Sequence, residues 1–166
     1  APCIGLAALH VALEDPDAVM AVLPSDHHIG DGPGFRRLVQ AAAERARDGE
    51  IVTLGIQPTR PETGYGYIKL ADGQPELMTS QGVAVETVDR FVEKPDVDTA
   101  EQYLTSGRFL WNSGMFFFTA RNILDAFDRH LPELMGVLRR IQPALGTSEY
   151  AAVLDEAFAL APSISL

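Results

Sequence analysis

The chain has 166 residues, enough for one domain or most of one, and its 46% hydrophobic and 22% charged content suits a globular chain that buries a core. Thirteen Lys and Arg against 23 Asp and Glu leave a formal charge of −10, which excludes a nucleic-acid-coating face but leaves phosphate binding open through local cations and backbone N–H groups. The lone Cys3 excludes an internal disulfide, no apolar run nears the ~20 residues of a membrane span, and no signal-peptide pattern is visible, so the expectation is a cytoplasmic protein with neither nucleic acid nor membrane as partner.

Pro2 suits a first helical turn, and Ile4, Leu6, Leu9 and Leu13 follow at helical spacing until "EDPD" ends the run. Ala18 to Leu23 reads as a fully buried strand stopped by Pro24, and Gly34 to Arg47 as a helix stopped at Asp48-Gly49. Ile51 to Ile56 is a second buried strand. The Pro- and Gly-rich "QPTRPETGYGYI" is a loop returning to extended chain, "ADGQPE" is a turn, and "VAVETVDRFVEKP" is a long strand region. A helix follows, with Asp98 as its N-cap, Glu101 three residues on and Gly107 at its C-cap. "FLWNSGMFFFTA" is extended and aromatic. Arg121 to Arg140 forms two helices hinged at Leu131-Pro132, and Ser148 to Phe158 a last one.

Strands alternating with helices imply an α/β sheet, mostly parallel at its start, with ligands beyond the carboxyl ends of the strands. No linker divides the chain into two domains. The helix-like opening "APCIGLAAL" and the abrupt apolar ending "APSISL" suggest an internal piece of a longer protein.

Four stretches offer chemistry. Asp26, in the turn "LPSDHHIGD", can hold Mg²⁺, which prefers one or two carboxylates with phosphate oxygens and water; a turn Asp also caps local N–H groups. His27 and His28 lack the spacing of a zinc site. In "ETGYGYI", Gly64 and Gly66 permit positive φ or close approach to a ligand, or simply a tight turn. "RFVEKPD" sets an acceptor, Glu93, beside a cation, Lys94, a pairing that fits a sugar phosphate as well as it fits a solvated strand end. Asn112, in "WNSGMFFF", can give a donor and an acceptor to a sugar ring or satisfy its own backbone at a bulge, while Trp111 and Phe116 to Phe118 read as core.

In this order, "APCIGLAAL", "VLPSDHHIGD", "TGYGYIKL", "RFVEKPD", "WNSGMFFF", "HLPEL" and "APSISL" resemble the sugar-1-phosphate nucleotidyltransferases across nearly the whole chain. More narrowly, they resemble the mannose-1-phosphate guanylyltransferases, including the kind fused to a mannose-6-phosphate isomerase. The resemblance implies an α/β fold with a Rossmann-like mixed sheet flanked by helices, residues 1–166 forming part of one nucleotidyltransferase domain. It implies transfer of GMP from GTP to mannose 1-phosphate, giving GDP-mannose and pyrophosphate with Mg²⁺. Asp26 would be a metal-binding, catalytic carboxylate, Gly66 the backbone contact to the sugar and Glu93 the acceptor for its hydroxyls. Lys94 would pair with the sugar phosphate during catalysis, and Asn112 would be a further sugar contact. The resemblance leaves a homodimer open.

Gly5 and His28 depart from the usual small and aliphatic residues of this subfamily. The family's Arg-bearing glycine-rich triphosphate loop is expected before residue 1, and its second metal-binding Asp beyond Leu166. Residues 1–166 alone are therefore expected to be inactive. Glucose 1-phosphate with UTP or dTTP, a non-catalytic sugar-nucleotide-binding relative, and a hydrolase using His27 and His28 are the competing readings.

Overall fold

The computed structural model describes residues 1–73 and 77–166. The turn expected over Ala71 to Glu76 falls in part outside them. Helices α1 (Pro2–Glu14), α2 (Gly32–Arg47), α3 (Val97–Ser106), α4 (Ala120–His130), α5 (Pro132–Ile141) and α6 (Tyr150–Phe158) alternate with strands β1 (Val19–Val22), β2 (Val52–Ile56), β3 (Gly66–Leu70), β4 (Leu77–Met78), β5 (Ala84–Val85), β6 (Val88–Glu93) and β7 (Phe109–Thr119). The class is α/β, a sheet flanked by helices, as the sequence implies. The residues group into two compact units, each built from separate stretches of chain: 1–22, 46–51 and 117–166 in the first, 23–45 and 52–116 in the second.

The first unit is a helical assembly. Pro2 opens α1, and α1 packs against α4 and α5. Gly5 allows that approach, because a Cβ there would lie 2.6 Å from Leu138 Cδ1 and 3.2 Å from Phe127 Cε2. Thr119 caps α4 by accepting a hydrogen bond from the Asn122 N–H at 3.1 Å. The hinge falls where the sequence puts it: Leu131 leaves helical geometry (φ −131°, ψ 59°) and Pro132 restarts the chain as α5. Phe117, Phe118, Ile123, Phe127, Leu134, Leu138 and Ile141 are buried, and α6 closes over Val137 and Ile141 through Ala157. Strand β1 pairs with β7.

The second unit carries β3 between β7 and β6, both pairings antiparallel, with β2 also paired to β7. The register places Tyr67 opposite Val92 on one side and Trp111 on the other. Tyr67, Phe109 and Trp111 form a buried cluster, with Val92 and Tyr103 packed against it. Three of the sequence expectations change. The N-cap of α3 is Asp96, whose carboxylate accepts from the Thr99 N–H at 2.8 Å; Asp98 lies inside the first turn, since Pro95 fixes the chain and the helix begins directly after it. Gly107 does end that helix in left-handed geometry, φ 65°. Strands β1 and β2 are half-buried to exposed, with Ile56 47% accessible, so their apolar runs are not covered on both faces by the described residues. The long strand region divides into β5 and β6.

Candidate functional site

All five candidate residues fall within the second unit. Strand register assembles three of them. Gly66 on β3 pairs with Glu93 on β6. On the other side, Tyr67 pairs with Trp111, and one step along the same antiparallel register sets Asn112 of β7 beside Gly66. Glu93, Gly66 and Asn112 thus form a row across three strands. Alternation puts that row on the sheet face opposite Tyr67, Val92 and Trp111.

The missing side chain at Gly66 has a measurable reason. A Cβ there would stand 3.0 Å from Glu93 Oε1, so the glycine leaves space for the carboxylate. Neither Gly64 nor Gly66 has the positive φ that their sequence context also allowed.

Lys94 follows Glu93 with φ 40°, the single described non-glycine residue with a positive φ. Left-handed geometry at a lysine costs energy, about 1–3 kcal/mol. It also breaks the strand alternation that would otherwise send Glu93 and Lys94 to opposite faces. The Lys94 N–H donates to the Tyr65 carbonyl at 3.2 Å, which ties this bend to the glycine-bearing loop. Just beyond Pro95, hydrogen bonds from Thr99 hold the Asp96 carboxyl below the ordinary carboxylate range.

Asn112 serves the bulge and leaves donors over. Its Oδ1 accepts from the Gly114 N–H at 3.0 Å, and Gly114 has φ 70°. The sequence allowed Asn112 to offer a ligand both acceptor and donor; here the acceptor is engaged by backbone and the amide N–H groups are what it can present. Thr53 on β2 steadies the same bulge by donating to the Met115 carbonyl at 3.0 Å. A Cβ on Gly114 would lie 3.6 Å from Pro24 Cγ, so the turn that carries Asp26 runs beside this bulge.

Asp26, Glu93 and Lys94 are exposed, and their charged groups make no hydrogen bond or ion pair with any described residue. By contrast, neighbouring Lys69 is bridged to Asp89 at 2.9 Å, and that hydrogen bond holds Asp89 below the ordinary carboxylate range. Among the described residues no group of three or more His, Cys, Asp or Glu could cage a metal ion. A lone exposed carboxylate such as Asp26 could hold Mg²⁺ only where substrate phosphates and water complete the shell.

Sequence reasoning missed Thr53 and Tyr67. Thr53 had a signal, a hydroxyl inside the apolar run "IVTLGI". Tyr67 had none beyond its place in the glycine motif. Trp111 is core, as expected, although the Tyr65 ring meets it edge-on at 5.4 Å and the Arg60 guanidinium lies 5.4 Å from its ring centroid.

Residues 1–153 match the family model described as nucleotidyl transferase. The chain belongs to the nucleotidyl transferase family. The xanthan biosynthesis protein XanB of Xanthomonas campestris pv. campestris (strain B100) is 40% identical over 167 residues, covering 100% of this chain and 34% of that protein. Mannose-1-phosphate guanylyltransferase of Escherichia coli (strain K12) is 40% identical over 169 residues, covering 100% of this chain and 35% of that protein. The crystal structure of mannose-1-phosphate geranyltransferase from Thermus thermophilus superimposes with a TM-score of 0.78 at 34% identity, over 98% of this chain and 44% of that one. The nucleotidyl transferase chain therefore spans about a third of the length of the curated relatives it matches. No helix among the described residues is long and apolar enough to cross a membrane.

Proposed function

We propose that this nucleotidyl transferase chain supplies the sugar-phosphate half of an active site that transfers GMP from GTP to mannose 1-phosphate, giving GDP-mannose and pyrophosphate in the cytoplasm. The observation that carries the reading is the row Glu93–Gly66–Asn112, flanked by a strained Lys94 whose ammonium has no partner among the described residues. The names of relatives that align along the whole of this chain support the choice of sugar and base.

In this reading a hexose lies over Gly66 with its ring close to the backbone. Glu93 accepts hydrogens from two adjacent hydroxyls, as a carboxylate's two oxygens permit. The Asn112 amide donates to a further sugar oxygen. The Lys94 ammonium pairs with the 1-phosphate as a point charge, which fixes the sugar by both ends. A phosphate oxygen then attacks the α-phosphorus of the nucleotide in line, the new P–O bond forms, and pyrophosphate departs with the electrons of the broken one. Such a reaction asks the protein for positioning and charge neutralisation more than for covalent help. Asp26 would hold Mg²⁺ together with the phosphates, and the ion would supply charge neutralisation there.

The test is pyrophosphate release by the full-length gene product across a matrix of sugar 1-phosphates and nucleoside triphosphates. The expected result is a clear preference for mannose 1-phosphate with GTP. Preference for glucose 1-phosphate with UTP or dTTP would replace this assignment, and no turnover with any pair would remove it.

A further inference from the structure

We propose that Tyr67 is a positioning residue for the sugar-phosphate site, acting through the loop it anchors rather than by touching substrate. The inference rests on the sugar-phosphate reading above.

Tyr67 is fully buried, and its ring packs with Phe109 and Trp111 on the sheet face opposite Gly66 and Glu93. A buried phenol hydroxyl needs a partner, and this one has two on a single residue. It accepts from the Glu62 N–H at 3.0 Å and donates to the Glu62 carbonyl at 2.8 Å. Both main-chain groups of Glu62 are thus fastened to the core. From there the connection runs outward. The Glu62 carboxylate accepts from the Gly64 N–H at 3.3 Å and from the Arg60 Nε–H at 3.1 Å. The next residue, Tyr65, presents its carbonyl to the Lys94 N–H. One hydroxyl on the hidden face therefore sets the segment that holds the left-handed bend at Lys94.

Packing alone does not explain the hydroxyl. A phenylalanine would fill the same space in the cluster and would leave the Glu62 N–H and carbonyl without this partner. The segment would then be freer to move, and the lysine it braces with it. The ring serves the core and the oxygen serves the loop.

The experiment compares Tyr67→Phe with wild type in the full-length gene product. The expected kinetic result is a five- to tenfold rise in KM for mannose 1-phosphate, as loss of about one net hydrogen bond gives. KM for GTP should stay within twofold, and kcat should fall less than KM rises. Amide hydrogen exchange without ligand should speed up at Glu62 and at Lys94 and stay unchanged at Ile68. If Tyr67→Phe does not fold, Glu62→Ala removes the next link with the ring intact and is expected to give the same KM split. An unchanged KM for mannose 1-phosphate, equal changes in both KM values, or faster exchange at Glu62 but not Lys94 would each overturn the proposal. Lys94→Ala run in parallel separates the two levels. If it raises KM while Tyr67→Phe does not, only the positioning role fails; if neither has an effect, the sugar-phosphate reading fails too.

Discussion

Each of the two compact units is held together by its own means. In the first, helices meet through apolar contact so close that Gly5 carries no side chain against Leu138 and Phe127. Its charges are mostly settled on the surface, as in Asp17 with Arg121 and Asp128 with Arg139. In the second, polar side chains reach back to main chain at loops and at the bulge in β7: Tyr67 to Glu62, Asn112 to Gly114, Thr53 to Met115. Its Asp26, Glu93 and Lys94 remain without a partner among the described residues. The contrast teaches where to look for chemistry. Apolar contact sets stability, while hydrogen bonds from side chain to backbone fix the direction of individual groups, and directed groups with no internal partner are available to a ligand.

That contrast can be broken by substitutions that should separate binding from stability. The largest effect is expected for Lys94→Ala. Losing a charge-assisted contact of about 2–3 kcal/mol raises KM for mannose 1-phosphate about 30- to 150-fold. Its thermal midpoint should not fall. Normal steady-state kinetics in the purified variant would refute the role given to this ammonium. Next comes Gly5→Val, which overpacks the first unit and should cost about 1–3 kcal/mol in denaturant unfolding. KM for the sugar phosphate should not move, and a selective rise there would blur the division between the units.

Gly66→Ala is expected to act more gently, because the Glu93 carboxylate can shift by a few tenths of an ångström. KM for the sugar phosphate should rise by about tenfold with the unfolding midpoint unchanged, the order expected for one impaired hydrogen bond. Binding unaffected by the added methyl would show that the row across β6, β3 and β7 is not the ligand face.

The smallest effect concerns acid. The hydrogen bond from Arg121 holds the Asp17 carboxyl below its ordinary value, and hydrogen bonds from Ser80 do the same for Glu44. A carboxyl lowered on folding contributes stability above its unfolded pKa, about 4, and loses it as pH falls through the folded value. Thermal melts should therefore drop below about pH 4, a little less steeply in Asp17→Asn than in wild type. Because the pair is exposed, the two curves should coincide in high salt.

Much of this arrangement could be read from residue order, and the rest shows where such reading stops. Local rules placed the Leu131-Pro132 hinge and the Gly107 cap, since proline and left-handed glycine act within a few residues. Similar rules misplaced the cap of α3, because two aspartates compete and only the geometry after Pro95 selects Asp96. Glu93, Gly66 and Asn112 stood out as residue types, but their adjacency is a property of register, which one residue of slip would destroy. The division into compact units was invisible. Each unit gathers distant stretches, and the changeovers at 45/46 and 116/117 fall inside α2 and β7, where the sequence carries no boundary signal. The Tyr67 hydroxyl was equally hidden, since a tyrosine in a glycine motif gives no sign of which backbone it will meet.

The bend at Lys94 has an energetic corollary. The position joins a torsion most comfortable for glycine to a mobile cation at the end of a long stem. Under the sugar-phosphate reading, glycine there would relax the backbone but lose the ammonium, while a neutral bulky residue would keep the strain and lose the ammonium as well. In that reading the strain stored at this position is offset only by what the ammonium contributes to holding the phosphate.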